Sequence, residues 1–358
     1  MEPIVVSGIG IVSPRAFGRE AFTRLLSGDP TANPASRVPE FALEDYLAGR
    51  RSFRRVAEVT KFALAGMALA IADAGLSPEA FGGDRAGLIV GIAHGAVTYG
   101  VQFHRTLLLE GPLSASPLHF AESVPNAPAG NGAIAFQIRG PVHTLIGEEP
   151  VGVQAIDLAA DLLHGGLVDR CLVVGAEEWN AVVAHAYAQM DRAARRSHDP
   201  EETLPLSEGA AALVLELDAA VVRRGGTPHA VLSGWRLGRG SADRLEEASA
   251  EITREVFRVA GHDLALADHI VPPPGRHRRA TRRGIGLARG EAAGPAIWID
   301  LLPVVGNPAG ASNLFQVAAS AAMLSMERVA GPGLVLSAGL QGTLSAIVLA
   351  RAARGGIR

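Results

Sequence analysis

The chain has 358 residues, 48% of them apolar and 19% charged, with 33 basic and 36 acidic side chains and a formal net charge of -3. That composition suffices for one large core or two medium ones and excludes a disordered chain. It also excludes nucleic acid as the main partner, because phosphate binding needs clustered basic charge. The densest basic runs, GRRSFRR (49–55) and GRHRRATRR (275–283), read as solvated loops or as docking patches for an acidic partner.

The start, MEPIVVSGIGIVSP, lacks a basic segment ahead of its apolar run and reads as a first strand, not a signal peptide. No uninterrupted apolar run of about 18 residues follows, so no membrane span is expected. Cys171 is the only cysteine, so a disulfide framework is impossible and a cytoplasmic setting is expected. The eleven histidines are scattered, with no pair at ligand spacing beside a carboxylate cluster, and neither a metal nor a cofactor is expected.

In chain order, PIVVSGIGIVS predicts a strand, TKFALAGMALAIADAGL (60–76) a helix ended by Gly75, and RAGLIVGIAHG (85–95) a buried strand. A small-residue helix is expected around 126–138. GPVHTLIGEEPVGVQAI (140–156) then reads as a strand, a sharp turn and a helix. RCLVVGAEE and GAAALVLEL close a first round of strands. After DAAVVRRGGTPH (218–229) a second round begins with the strand AVLSGWRLG and a long helix over about 243–260. HIVPPP, the strand AIWIDLLPVVG, a helix from near Asn307 and two last strands complete it. Continuous apolar strands between helices predict a layered α/β fold with sheets covered on both faces. The similar order of elements in 1–217 and 218–358 predicts a duplicated architecture of two halves forming one unit.

Several motifs in order resemble the β-ketoacyl synthase family of the thiolase fold: VVSGIGIVSP, DAGL with RAGLIVG, SVPNAPAG, GP at 140–141, GAEE, LSEGAAALVLE and GNPAGASNLFQVAAS. The resemblance covers nearly the whole chain and implies an αβαβα sandwich used as a dimer. Such enzymes are ping-pong acyl transferases in which a cysteine at a helix N-terminus takes the acyl chain and two histidines stabilise the oxyanions. Counted from Gly140 and Pro141 to Gly152, the resemblance places that cysteine on Glu149 or, one residue earlier, on Glu148. The first histidine falls on Pro273 or Pro274, and the second on Asn307, which can donate a hydrogen bond but is no acid at neutral pH. Leu340 and Gln341, in AGLQGTLS, stand where the family has a Gly-Phe-Gly-Gly gate. With Asn126 of the SVPNAPAG helix, Pro273, Pro274, Leu340 and Gln341 make up the expected substrate pocket. Cys171, on a strand, is expected to pack, and His269 and His277 to be structural or superficial.

The groups that touch the thioester have therefore changed while the scaffold motifs remain. This pattern is similar to chain-length-factor subunits, non-condensing partners that dimerise with an active β-ketoacyl synthase and shape its acyl tunnel. Such subunits serve polyketide, aryl-polyene or fatty-acid systems, with an acyl carrier protein as further partner. The alternatives are a homodimeric acyl-thioester hydrolase or acyltransferase working through Glu149 and Asn307, and a protein that binds an acyl or aromatic ligand without turnover. In the simplest reading Glu149 caps its helix and fills the vacated seat, and Glu149→Gln costs at most about 1 kcal/mol.

Overall fold

Strands whose residues are all apolar or small have no side to offer water. IVVSGIGIV and AGLIVGI are accordingly buried at every position. The computed structural model describes residues 2–26, 35–47, 53, 55–195, 206–274, 277–290 and 293–352. The strands are β1 (Ile4–Val12), β2 (Ala86–Ile92), β3 (Val142–Ile146), β4 (Arg170–Glu177) and β5 (Gly209–Leu217), then β6 (Ala230–Arg239), β7 (His269–Val271), β8 (Ile297–Trp298), β9 (Gly333–Ala338) and β10 (Thr343–Ala350).

They form one sheet in the order β3-β2-β4-β5-β1-β6-β10-β9-β7-β8. Counted from either end, strands appear in the sequence third, second, fourth, fifth, first. β1 and β6 join the two sets through a short antiparallel contact of Ile4–Val6 with Ala230–Leu232. The sheet folds over two central helices, Val151–His164 and Ser312–Ser325, which touch each other and strands of both sets. Their apolar side chains form one cluster with β1, β4, β5, β6, β9 and β10. A second cluster lies between the first five strands and the helix Glu58–Asp73, and a third between the last five and the helix Leu245–Ala260. The result is the five-layered α/β/α/β/α arrangement expected from the resemblance.

The helix expected over 60–76 spans Glu58–Asp73 and stops before Gly75, whose φ of 71° ends it. The strand expected over 296–306 is cut to β8, because Pro303 starts a short helix, Leu302–Val305, in its second part. The helix expected near Asn307 begins at Ser312, after a tight turn over Ala309–Ala311. The run 275–283 is no loop: Arg278–Arg289 is helical, with Arg278 paired to Asp300, Arg283 to Glu246, and Arg282 stacked on Trp298. Gly275 and Arg276 of that run, like most of the run 49–55, lie outside the described residues.

Candidate functional site

The three parallel strands β2, β3 and β4 deliver their carboxyl ends to one place. In open α/β sheets that is where ligands are met. β3 ends at Ile146, and a turn through Glu148 and Glu149 leads into the central helix Val151–His164. The helix begins hard against its mate: a Cβ on Gly152 would lie 2.9 Å from Leu314 Cγ and 3.1 Å from Asn313 Oδ1. This contact sets the turn at the seam between the two sets of strands.

The two glutamates of the turn do different things. Glu148 reaches the loop after β9, where its Oε1 accepts the Gln341 N–H at 2.7 Å and its carboxylate lies over Gly339. Glu149 turns inward and is only 5% exposed. Burial pushes its carboxyl up to about 7, opposed by its own amide N–H and assisted by the charge of Glu148, while His94 and His277 pull it back. The expected helix cap is not made: Pro150 occupies the N-cap and no side chain bonds there.

His94 follows β2. Burial would depress its imidazole, but Glu177 and, behind it, Glu149 raise it above its ordinary value. The Glu177 carboxylate, at the end of β4, is cradled by consecutive N–H groups of Ala93, His94 and Gly95 and lies 3.7 Å from His94 Nδ1. Tyr187, on the helix Ala181–Arg195, meets His94 edge to face, with ring centroids 5.6 Å apart and its hydroxyl 3.5 Å from Nε2. Burial and the charges of Glu149, Glu177 and Glu148 hold the Tyr187 hydroxyl protonated. His277 stands at the N-cap of Arg278–Arg289, half-buried, with its Nε2 enclosed and without a hydrogen-bond partner.

Asn307 is 2% exposed, and its Oδ1 accepts from the Ala309 N–H at 3.3 Å and the Ser312 hydroxyl at 3.2 Å. Its loop nonetheless closes over the cluster, since a Cβ on Gly310 would meet Glu177 Oε1 and the Ala93 amide. Pro273 and Pro274 are buried after β7, Leu340 is half-buried, and Gln341 and Asn126 are exposed. The other two buried groups of interest lie apart. His269 bonds Ser320 Oγ at 2.7 Å, and burial holds it down to about 4, a neutral core imidazole. Cys171 is enclosed on β4, its thiol pushed up to about 12 by burial. Among the described residues no three His, Cys, Asp or Glu side chains gather as a metal site would need, and no helix is long and apolar enough to cross a membrane.

Residues 38–220 match the family model of the β-ketoacyl synthase N-terminal domain. The chain belongs to the β-ketoacyl synthase family. It is 29% identical to 3-oxoacyl-[acyl-carrier-protein] synthase 2 of Rhizobium meliloti (strain 1021), over 66% of this chain and 64% of that one. It is 26% identical to a putative polyketide β-ketoacyl synthase 2 of Streptomyces halstedii, over 98% of this chain and 97% of that one. Among solved structures, the ishigamide ketosynthase/chain length factor superposes with a TM-score of 0.84 at 17% identity, covering 98% of this chain and 100% of the other. The ketosynthase fold is therefore the thiolase-like sandwich that the motif order implied. His94, Glu177 and Tyr187 escaped the motif reading. The available signal was the position of AHG and GAEE directly after apolar strands, where an α/β sheet gathers its functional side chains.

Proposed function

We propose that this chain is a non-condensing ketosynthase homologue, a chain-length-factor-like subunit. In this role it dimerises with an active β-ketoacyl synthase of polyketide, aryl-polyene or fatty-acid biosynthesis and shapes the acyl tunnel. The observation that carries the reading is the seat itself. Glu149, to which the motif spacing assigns the nucleophile's position, is a buried carboxyl, and the chain's one thiol is enclosed in a strand and raised to about 12. A thiol held protonated and walled off cannot take an acyl group.

The outer face of the first five strands supports the dimer. β3 is an end strand with its far edge open in the chain, and its Val142 and Ile146 are 37% and 66% exposed. Ile134 is exposed on the helix Ala127–Ala135, which packs against β3, and Phe120, Leu108 and Leu109 are exposed on Pro117–Ser123 and Val97–Glu110, which follow one another in contact from that helix. An open strand edge beside an apolar face is a liability in a lone chain and fits a partner surface. An acyl carrier protein remains the second proposed partner, on the strength of family membership. The described part of 275–283 gives it little to grip, since Arg278 and Arg283 are already paired and Arg282 is stacked.

Native mass spectrometry of the protein isolated at low abundance from its host tests the reading. A heterodimer with a cysteine-bearing synthase is expected; a homodimer free of any synthase overturns it.

A further inference from the structure

The two glutamates of GAEE leave the end of β4 for different places. Glu177 settles on the Ala93–Gly95 amides, whereas Glu178 goes to the start of Val97–Glu110, where its Oε1 accepts the Thr98 N–H at 2.7 Å. Glu178 is only 6% exposed, and its Oε2, closed off from water, has no hydrogen-bond partner among the described residues. A carboxylate oxygen buried without a donor is costly, so this position calls for a group that the chain does not itself supply.

Glu178 lines an open cavity of about 320 Å³, within the range of small-molecule sites. The lining is held together by its own polar bonds. Glu208 accepts the Val38 N–H at 2.8 Å on one oxygen and the Trp179 N–H at 3.0 Å on the other, which ties two segments of the wall. Arg37 lies over the Trp179 ring and donates to the Trp179 carbonyl at 3.3 Å. Lys61 stands 3.9 Å from Glu58 and over the ring of Phe41. Both cations of the lining are thus engaged, and they share it with four carboxyls, Glu40, Glu58, Glu178 and Glu208, an excess of two negative charges when all six are ionised. Of the two buried carboxyls, Glu208 has both oxygens occupied and Glu178 only one. A hard metal ion takes about six or more oxygen ligands, and among the described residues no three carboxyl or imidazole groups gather to begin such a set. An organic cation brings its own N–H donors and needs a single carboxylate.

We propose that this cavity binds a small organic cation, an alkylammonium whose N–H groups donate to Glu178 and whose hydrocarbon part lies against Val38, Pro39 and Trp179. The site does not depend on the subunit role. Binding needs Glu178 ionised. Burial raises its carboxyl above the ordinary value, opposed by the Thr98 and Val59 amides and assisted by the charge of Glu58. Arg37, Lys61, Glu40 and Glu208 are the other charged groups of the lining. Affinity therefore rises with pH as Glu178 loses its proton and then levels, since an alkylammonium stays charged to about pH 10.

The test is isothermal titration calorimetry of the full chain in its native assembly with butylammonium chloride at fixed ionic strength, with butan-1-ol and potassium chloride for comparison. Saturable binding of butylammonium is expected at pH 8, with butan-1-ol about tenfold weaker or more and potassium unable to displace it. Glu178→Gln is expected to weaken binding about tenfold or more, the scale of one charge-assisted hydrogen bond, and to abolish the fall in affinity between pH 8 and pH 5. Glu247→Gln, exposed on Leu245–Ala260, is expected to bind as wild type does. Circular dichroism verifies that each variant is folded, and the comparison of butylammonium with butan-1-ol on wild type decides the matter without any variant. No saturable binding by wild type overturns the proposal, as does butan-1-ol binding equally well. Displacement by an equal concentration of potassium, or folded Glu178→Gln binding as tightly as wild type, overturns it too.

Discussion

The carboxyl of Glu149 sets a sign for the molecule's pH response. Its folded value of about 7 lies above the ordinary 4.5, so the folded state keeps a proton that the unfolded chain has already lost. Its stabilising share is therefore complete below about 4.5 and falls away as pH rises through 7, a loss of about 3 kcal/mol. Glu149→Gln removes the titration. Urea denaturation should find this variant more stable than wild type by a few kcal/mol at pH 8, a gain that shrinks toward pH 4. An equal difference at both pH values would mean that the site is wetter than its burial indicates. The expectation of a small loss on Glu149→Gln took the side chain for a cap, and the dry setting reverses it. Glu148 gives a second test at this scale. Its carboxylate lies where a Cβ on Gly339 would go, so Gly339→Ala should cost about 1–3 kcal/mol by overpacking, and Glu148→Ala in the same chain should recover only part of it, because the Cβ of residue 148 would itself stand 2.6 Å from the added one. The spacing of GP and Gly152 made the position of these glutamates legible in the sequence. Which of them turns inward was not, because that depends on Gly152 meeting Leu314, a residue far along the chain.

At the scale of elements, glycine decides how closely layers approach. A Cβ on Gly10 of β1 would run into the carbonyl of Gly66 and the amide of Ala70, so Glu58–Asp73 lies directly on the strand backbone. Gly10→Ala should therefore destabilise by about 3 kcal/mol or more, because backbone cannot move aside as a side chain can; a loss below about 1 kcal/mol in thermal unfolding would show that the helix slides freely. Long apolar strands and the helix closed by Gly75 were readable from composition and period alone. The segment 296–312 was not. Its apolar run AIWIDLLPVVG has the look of a strand, but Pro303 opens a turn of helix and Gly306, with φ of 71°, reverses the chain. Asn307 then folds its own Oδ1 back onto Ala309 and Ser312, which delays the central helix to Ser312. Side-chain-to-backbone bonds of this kind compete with regular structure and leave little trace in periodicity.

For the whole molecule, the order of motifs disclosed the layered architecture, whereas the outward-facing surface had to be seen in place. Val97–Glu110 has no buried residue, so its helical period carries no core signal, yet it presents Leu108 and Leu109 to the outside. Ile146→Asp, on that edge and 66% exposed, should leave the fold intact to within about 0.5 kcal/mol while converting a dimer to monomers in sedimentation. A monomeric wild type, or a dimer indifferent to the aspartate, would place the partner surface elsewhere. The shared central cluster carries one more consequence. Strand order repeats along the chain, but Val153, Ile156, Leu314 and Phe315 belong to a single core with strands from both sets. Neither set can open without exposing the inner face of the other. The repeat is thus a feature of topology without a matching thermodynamic boundary, and calorimetry should record one transition whose measured enthalpy equals its van't Hoff enthalpy.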